Sequence, residues 1–414
     1  MKKEFYIRNR KKIMDKIEDN SMVVLFGGRA PYKSADETYP FTPNRNFYYL
    51  TGIDRENIIL LMTKRNNKIE EVLFIEESDP VMARWVGERM NAEEAEECSG
   101  IKNIDYIKNF NEGFASFISR FNYDKLYLDL ERQEWGIQFT EAQNFASETR
   151  LKYPHIVIKN IYSDICDLRT IKSKEEVDEI RKAISITKMG IEEMMKNAEP
   201  KMMEYEIEAY FDHVLTSKGV KDKAFKTIAA AGKNGTILHY SDNNGKCMEN
   251  DLILFDLGAQ WNYYNGDISR TFPVSGKFTE RQKQVYNVVL KANEEIIKAV
   301  KPGMPFSELN EIAKKVLAEG CKELGLIKED SELSKYYFHG VSHYLGLDTH
   351  DVGDREAMLE AGMVFTNEPG LYIPEEGIGI RIEDDILVTE CGCENLSKDI
   401  IKTVEEIEEF MKKA

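Results

Sequence analysis

The stretch "LFDLGAQWNYYNGDISRTFPV", residues 254–274, reads as two apolar strands folded about a polar turn. Centred between Trp261 and Asn262, such a hairpin sets Asp256 opposite Asp267, on one face of the pair. Asp256 lies inside "LILFDLGA", where an apolar strand accepts a charge only with a partner. A second stretch has the same design. In "MVFTNEPGLYIPEEGIGIRIEDDILVTE", Glu368 and Glu383 are equidistant from the turn between Glu375 and Glu376 and face each other across a second hairpin. Opposed like charges destabilise a ladder unless a cation lies between them, so the four acids together call for metal. Taken singly, Asp267 reads as a turn residue, Glu368 as a loop acid, and the alternation of Arg381, Glu383 and Asp385 with isoleucines as a half-exposed strand. Their joint appearance on corresponding elements favours the metal.

Each hairpin follows two helices. One pair spans about 174–198 and "EYEIEAYFDHVLTSKG", with Ser173 as the first cap; the other spans about 280–300 and "FSELNEIAKKVLAEG". Residues 172–414 thus form one internally doubled domain closed by an amphipathic helix carrying Val404, Ile407 and Met411. Before it, apolar runs such as "MVVLF", "NIILLM", "EVLFI" and "KLYLDL" alternate with helical stretches, which predicts a mixed α/β domain over residues 1–165.

Histidine is scarce, with six in 414 residues, yet "HGVSHYLGLDTHDVG", residues 339–353, holds three of them. The motif is not the H-E-x-x-H of zinc peptidases, because it has no glutamate base and carries Gly340. His339 and His343 share a side whether the segment is helix or strand, so one can bind metal while the other reaches substrate. His350 is placed to donate to a developing oxyanion. His239, in "ILHYSDN", reads alone as structural, and His155 and His213 have no such company.

The net charge of −17 gives no field for nucleic acid or anionic lipid. No apolar run is long enough for a membrane span, and six scattered cysteines, with a turn at "ECGCEN", read as reduced thiols. These features predict a cytoplasmic protein.

Four motifs, "LFDLGAQWNYYNGDISRTFPV", "HGVSHYLGLDTHDVG", "FTNEPGLYI" and "GIGIRIEDDILVT", in this order resemble the pita-bread metallopeptidases, which include aminopeptidase P, prolidase, methionine aminopeptidase and creatinase. "SADETYPFTPNRNFYYLTGI" and "RWVGER" resemble the first domain of aminopeptidase P in particular. The resemblance implies an α/β (α+β) chain with a creatinase/aminopeptidase P-type first domain and a pita-bread second domain of pseudo-two-fold repeat. It implies two divalent ions, Mn²⁺ by the donor set or Co²⁺, held by Asp256, Asp267, His343, Glu368 and Glu383, with Asp267 and Glu383 bridging. His239, His339 and His350 fall on substrate-contacting histidines, Arg381 on an arginine linked with the site, and Tyr372 near the metals. The implied reaction is hydrolysis of an N-terminal residue from peptides with proline second. A metal-bridging hydroxide attacks, His350 supports the oxyanion, and Glu368 shuttles the proton. Prolidase, cutting Xaa-Pro dipeptides, is the alternative within the family, and a metal-free binding protein on the same fold is the alternative outside enzymes. Homodimers or homotetramers are implied, with Trp85 near a neighbour's site. Gly266, Ser269 and Asn367 depart from the commonest family strings.

Overall fold

The computed structural model describes residues 1–132 and 134–412, so the last two positions of the expected second domain lie outside the described residues. The chain packs as two compact units, Met1–Arg169 and Thr170–Ala414.

The first unit is built on a six-stranded mixed sheet. From one edge to the other its strands are Ile104–Tyr106, Lys68–Ile75, Ile59–Arg65, Ser21–Phe26, Lys125–Leu128 and Val157–Asn160. The apolar runs seen in sequence are its central strands. Ser21–Phe26 pairs antiparallel with Ile59–Arg65 and parallel with Lys125–Leu128. On one face Met22, Val24, Leu61, Phe74, Leu126 and Leu128 bury themselves against Phe110, Phe114 and Ile118 of the helix Phe110–Phe121. The short helix Pro80–Val86 buries none of its residues and leaves Trp85 82 % exposed, and Trp135 is 94 % exposed.

In the second unit the order helix, helix, strands occurs twice. Helices Lys174–Asn197 and Glu204–Ser217 precede strands Leu252–Leu257 and Ile268–Pro273; helices Glu280–Ala299 and Glu308–Glu323 precede Val364–Asn367, Gly370–Ile373, Ile378–Arg381 and Asp384–Thr389. The main sheet of each half also has a third strand not expected from sequence, Ile228–Ala231 beside Leu252–Leu257 and Gly392–Asn395 beside Asp384–Thr389. The latter occupies most of the expected turn at "ECGCEN". Val404 and Ile407 are buried on the closing helix Val404–Phe410, and Met411 just beyond it.

Two local expectations need correction. Ser173 stands at the N-cap, but it is its backbone N–H, donating to Glu176 at 2.8 Å, that closes the helix start; its hydroxyl makes no bond. The first hairpin is centred one position later than expected. Asn262 and Tyr263 both take the left-handed conformation (φ 48° and 66°), the backbone of a primed two-residue turn, so Asp256 pairs with Ser269 and not with Asp267.

Candidate metal centre

The correction leaves the site intact, because moving the hairpin centre by one position shifts the register by two. Side chains alternate with period two, so Asp267 and Ser269 share the face of Asp256, and Asp267 becomes its diagonal neighbour. The same register sets Gly258 opposite Asp267. A Cβ on Gly258 would lie 1.8 Å from the Gly266 carbonyl oxygen, so the strands approach this closely only with glycine there. In the second half Asn367 pairs with Asp384 and Gly370 with Arg381, one continuous register in which Glu368 stands opposite Glu383.

Backbone and side-chain bonds then join the halves. The Glu383 N–H donates to the Ser269 carbonyl (3.1 Å), the Ser269 hydroxyl donates to the Glu383 carboxylate (2.7 Å), and the Asp267 N–H donates to Asp385 Oδ2 (3.2 Å). His343 is brought in by its own backbone, which exchanges bonds with Thr366: its N–H reaches Thr366 Oγ1 at 3.1 Å and its carbonyl accepts the Thr366 N–H at 2.9 Å. Its Nδ1 donates to the Tyr344 carbonyl at 3.0 Å. A carbonyl only accepts, so Nδ1 carries a proton, and Nε2 faces Asp267 Oδ2 (3.4 Å) and Glu368 Oε1 (3.5 Å). Asp267, His343 and Glu383 each offer a ligand atom within 4.8 Å of the others, all three buried.

Burial and mutual repulsion raise the carboxyl pKa values of Asp267 and Glu383 well above the ordinary range, and burial raises that of Glu368. One cation, Arg381, partly offsets this. Its guanidinium donates to Asp256 Oδ2 (2.6 Å), to Ser269 Oγ (2.8 Å) and to the Tyr372 hydroxyl (3.0 Å). Asp256 Oδ1 is buried without a hydrogen-bond partner, the state of a ligand oxygen whose partner is a cation. Four carboxylates and one imidazole converging here fit divalent metal.

A chain of donors leaves this cluster. Tyr372 accepts from Arg381 and passes its own proton toward His339 Nε2 at 2.9 Å, because His339 Nδ1 already donates to the Gly340 carbonyl at 2.8 Å. Burial, with Arg381 adding to it, lowers the His339 pKa to about 4. His350 packs its ring 4.2 Å from that of His343, and burial beside that ring lowers its pKa to about 4 as well. His239 is exposed on the loop after Ile228–Ala231, near enough to oppose protonation of both His339 and His350. All of the expected site residues therefore gather in one region of the second unit. His155 lies against Tyr153 in the first unit and His213 is exposed on its helix.

Of the three positions that depart from common strings, only Ser269 enters the cluster. Asn367 points the other way, exchanging amide bonds with Asn293 of Glu280–Ala299, as a residue one step from Glu368 must. Gly266 passes close to the backbone of Ile184. Ser269, Thr366 and Asp385 were not picked out as site residues by sequence; period-two parity from Asp267 was the signal that would have found Ser269.

Two family patterns match this chain. The sequence pattern of metallopeptidase family M24 matches residues 178–390, and that of the aminopeptidase P N-terminal domain matches residues 6–127. The Xaa-Pro aminopeptidase of Escherichia coli is 34 % identical over 98 % of this chain and 96 % of its own, and that of Haemophilus influenzae 32 % identical over 99 % and 97 %. The solved structure of Escherichia coli aminopeptidase P with the inhibitor Pro-Leu superposes with a TM-score of 0.91 at 32 % identity, covering 99 % of this chain and 98 % of the other. A zinc-substituted form of that enzyme in complex with product matches equally well, with a TM-score of 0.91.

Proposed function

The chain belongs to metallopeptidase family M24, and from that premise we propose that it removes the N-terminal residue from peptides whose second residue is proline. The observation that carries this reading is the cluster of Asp256, Asp267, His343, Glu368 and Glu383, three of them buried, with the Asp256 oxygen that no protein donor satisfies. Relatives that match end to end at about a third identity bear the name Xaa-Pro aminopeptidase.

Two divalent cations, Mn²⁺ first among them, would be held by these five residues, Asp267 and Glu383 bridging, Asp256 serving one ion and His343 with Glu368 the other. When bound they would supply Lewis acidity toward the scissile carbonyl and lower the pKa of a water. The remaining work belongs to side chains. Glu368, its carboxyl pKa raised by burial, takes a proton and delivers it to the leaving proline nitrogen. That nitrogen needs one because an amine leaves only when it is protonated. His350, neutral at pH 7, keeps one N–H to offer the developing oxyanion. His339 is held in one tautomer by Tyr372 and Arg381, and with His239 it walls the substrate. Arg381 holds the Asp256 carboxylate in place.

A second copy of the chain would cover the helix Pro80–Val86, giving a dimer or tetramer and placing Trp85 at a subunit boundary. The six cysteines, all free, suit a reducing cytoplasm. Among the described residues no helix is long and apolar enough to cross a membrane.

The test is hydrolysis of the tripeptide Arg-Pro-Pro and the dipeptide Ala-Pro by chelator-stripped protein, before and after Mn²⁺ is added. Metal-dependent release of arginine with little dipeptide cleavage is expected. Cleavage confined to the dipeptide would make the chain a dipeptidase, and no cleavage with any divalent ion would make it a binding relative of the family.

A further inference from the structure

We propose that Glu204, in no contact with the metal cluster, is a positioning residue that sets the place of His239 and thereby the grip on substrate; this rests on the reading of His239 as a substrate contact. Glu204 opens the helix Glu204–Ser217 and is fully buried. Its carboxylate accepts four hydrogen bonds. Oε1 receives the Ala231 N–H (2.7 Å) and the Asn234 amide (2.9 Å), and Oε2 receives the Tyr240 hydroxyl (2.8 Å) and the Gly245 N–H (2.6 Å). Its own N–H donates to the Gly245 carbonyl at 2.9 Å.

Every one of these partners lies on the segment 231–245, which carries His239. Two of them mark its ends, one opens the turn before His239, and one is the residue next to it. Residues 237–251 belong to no helix or ladder strand, so nothing periodic fixes that stretch. Glu204 supplies two of its anchors, at Tyr240 and Gly245, on either side of the turn that follows His239. Gly245 is part of the arrangement: a Cβ there would stand 2.8 Å from Glu204 Oε1 and 2.5 Å from the Asn234 amide nitrogen. One turn along the helix, Glu208 accepts from Asn243 Nδ2 at 2.8 Å, which repeats the clasp at lower multiplicity. The helix start favours an anion at position 204, and a buried carboxylate with four donors leaves four unsatisfied groups when it is removed.

Glu204→Gln preserves size but turns an amide N–H₂ toward donors. Tyr240 can reverse its hydroxyl; the Gly245 N–H cannot, so the segment must shift. Displacement of a contacting group on the scale of an ångström costs up to about a hundredfold in efficiency. The expected result for Glu204→Gln is a fall in kcat/KM of about tenfold or more, carried mainly by KM, with metal content unchanged.

The decisive experiment is a double-mutant cycle on the metal-loaded enzyme with Glu204→Gln and His239→Ala, reading kcat, KM and bound metal. A Glu204→Gln loss that disappears in the His239→Ala background supports the proposal. Losses that multiply, or a Glu204→Gln enzyme with unchanged KM beside an impaired His239→Ala enzyme, overturn it. If His239→Ala itself loses nothing, the substrate-contact reading of His239 fails, and this proposal with it. Should Glu204→Gln fold poorly, Tyr240→Phe removes one of the four bonds and enters the same cycle, with a smaller effect of the same sign expected.

Discussion

Asp267 is the most constrained side chain of the cluster. Buried beside Asp256, Glu368 and Asp385, it holds its proton far more tightly than a free aspartate, and its own N–H is spent on Asp385. Asp267→Asn removes one charge of the proposed bridge, so bound metal and hydrolysis are expected to fall together. Full metal content by elemental analysis in an active Asp267→Asn protein would sink the bridging assignment. Arg381 makes the converse case. Arg381→Met leaves the Asp256 carboxylate without its 2.6 Å partner and the other acids without their nearest cation. Breaking a buried pair on one side costs about 3–5 kcal/mol, which a urea titration of the metal-stripped protein should show. At this scale the sequence disclosed which residues converge, because acids in apolar strands need partners. It did not disclose Asn262 and Tyr263 as the turn pair, since asparagine accepts positive φ but tyrosine does not announce a turn centre. Nor did it disclose Glu204, whose carboxylate opens an ordinary-looking amphipathic helix.

At the scale of elements, both halves bring their helices together over a glycine. A Cβ on Gly190 would lie 2.2 Å from Phe211 Cδ2 on the neighbouring helix, and one on Gly320 would lie 2.3 Å from Val288 Cγ1. Gly190→Ala is expected to cost about 1–3 kcal/mol by overpacking, with partial recovery when Phe211→Leu is added. Gly113, inside Phe110–Phe121, is the control: its Cβ would meet only Phe74 at 3.8 Å, so Gly113→Ala should stabilise by about 0.5–1 kcal/mol through helix propensity. Thermal or urea unfolding of the two variants, moving in opposite directions, checks both. The helices and main strands were legible because their apolar positions keep a period over many residues. "IAAA" and "GCEN", the third strands, are too short and too poor in β-branched residues to declare themselves; pairing with a longer neighbour makes them strands.

For the whole molecule, metal and protons compete within the second unit. In the stripped protein Asp267, Glu368 and Glu383 have raised pKa values, so the fold binds protons more tightly than the unfolded chain does. Their contribution is present below the ordinary carboxylate pKa and is lost as pH rises through the raised values. Metal, which needs the ionised forms, should therefore raise the melting temperature more at about pH 8 than at about pH 6. At a hundredfold excess over its Kd a ligand adds about 2.7 kcal/mol, enough to read by calorimetry. An equal increment at both pH values would contradict the carboxylate assignment. His339 and His350 act in the opposite sense: with pKa values lowered to about 4, they support the fold above the ordinary histidine value and withdraw that support as pH falls.

The exposed rings of Trp85 and Trp135 decide how such unfolding can be watched. The chain has three tryptophans, and the third, Trp261, is half-buried in the hairpin of the second unit, with Lys182 Nζ 5.5 Å from its ring centre. Two of the three chromophores in a lone subunit already sit in water before anything melts. Their emission should start near the red limit and change little, leaving Trp261 to carry most of the spectral shift. Intrinsic fluorescence then reports the metal-site unit almost alone, while the six-stranded sheet of the first unit unfolds in optical silence and has to be followed by circular dichroism or heat capacity.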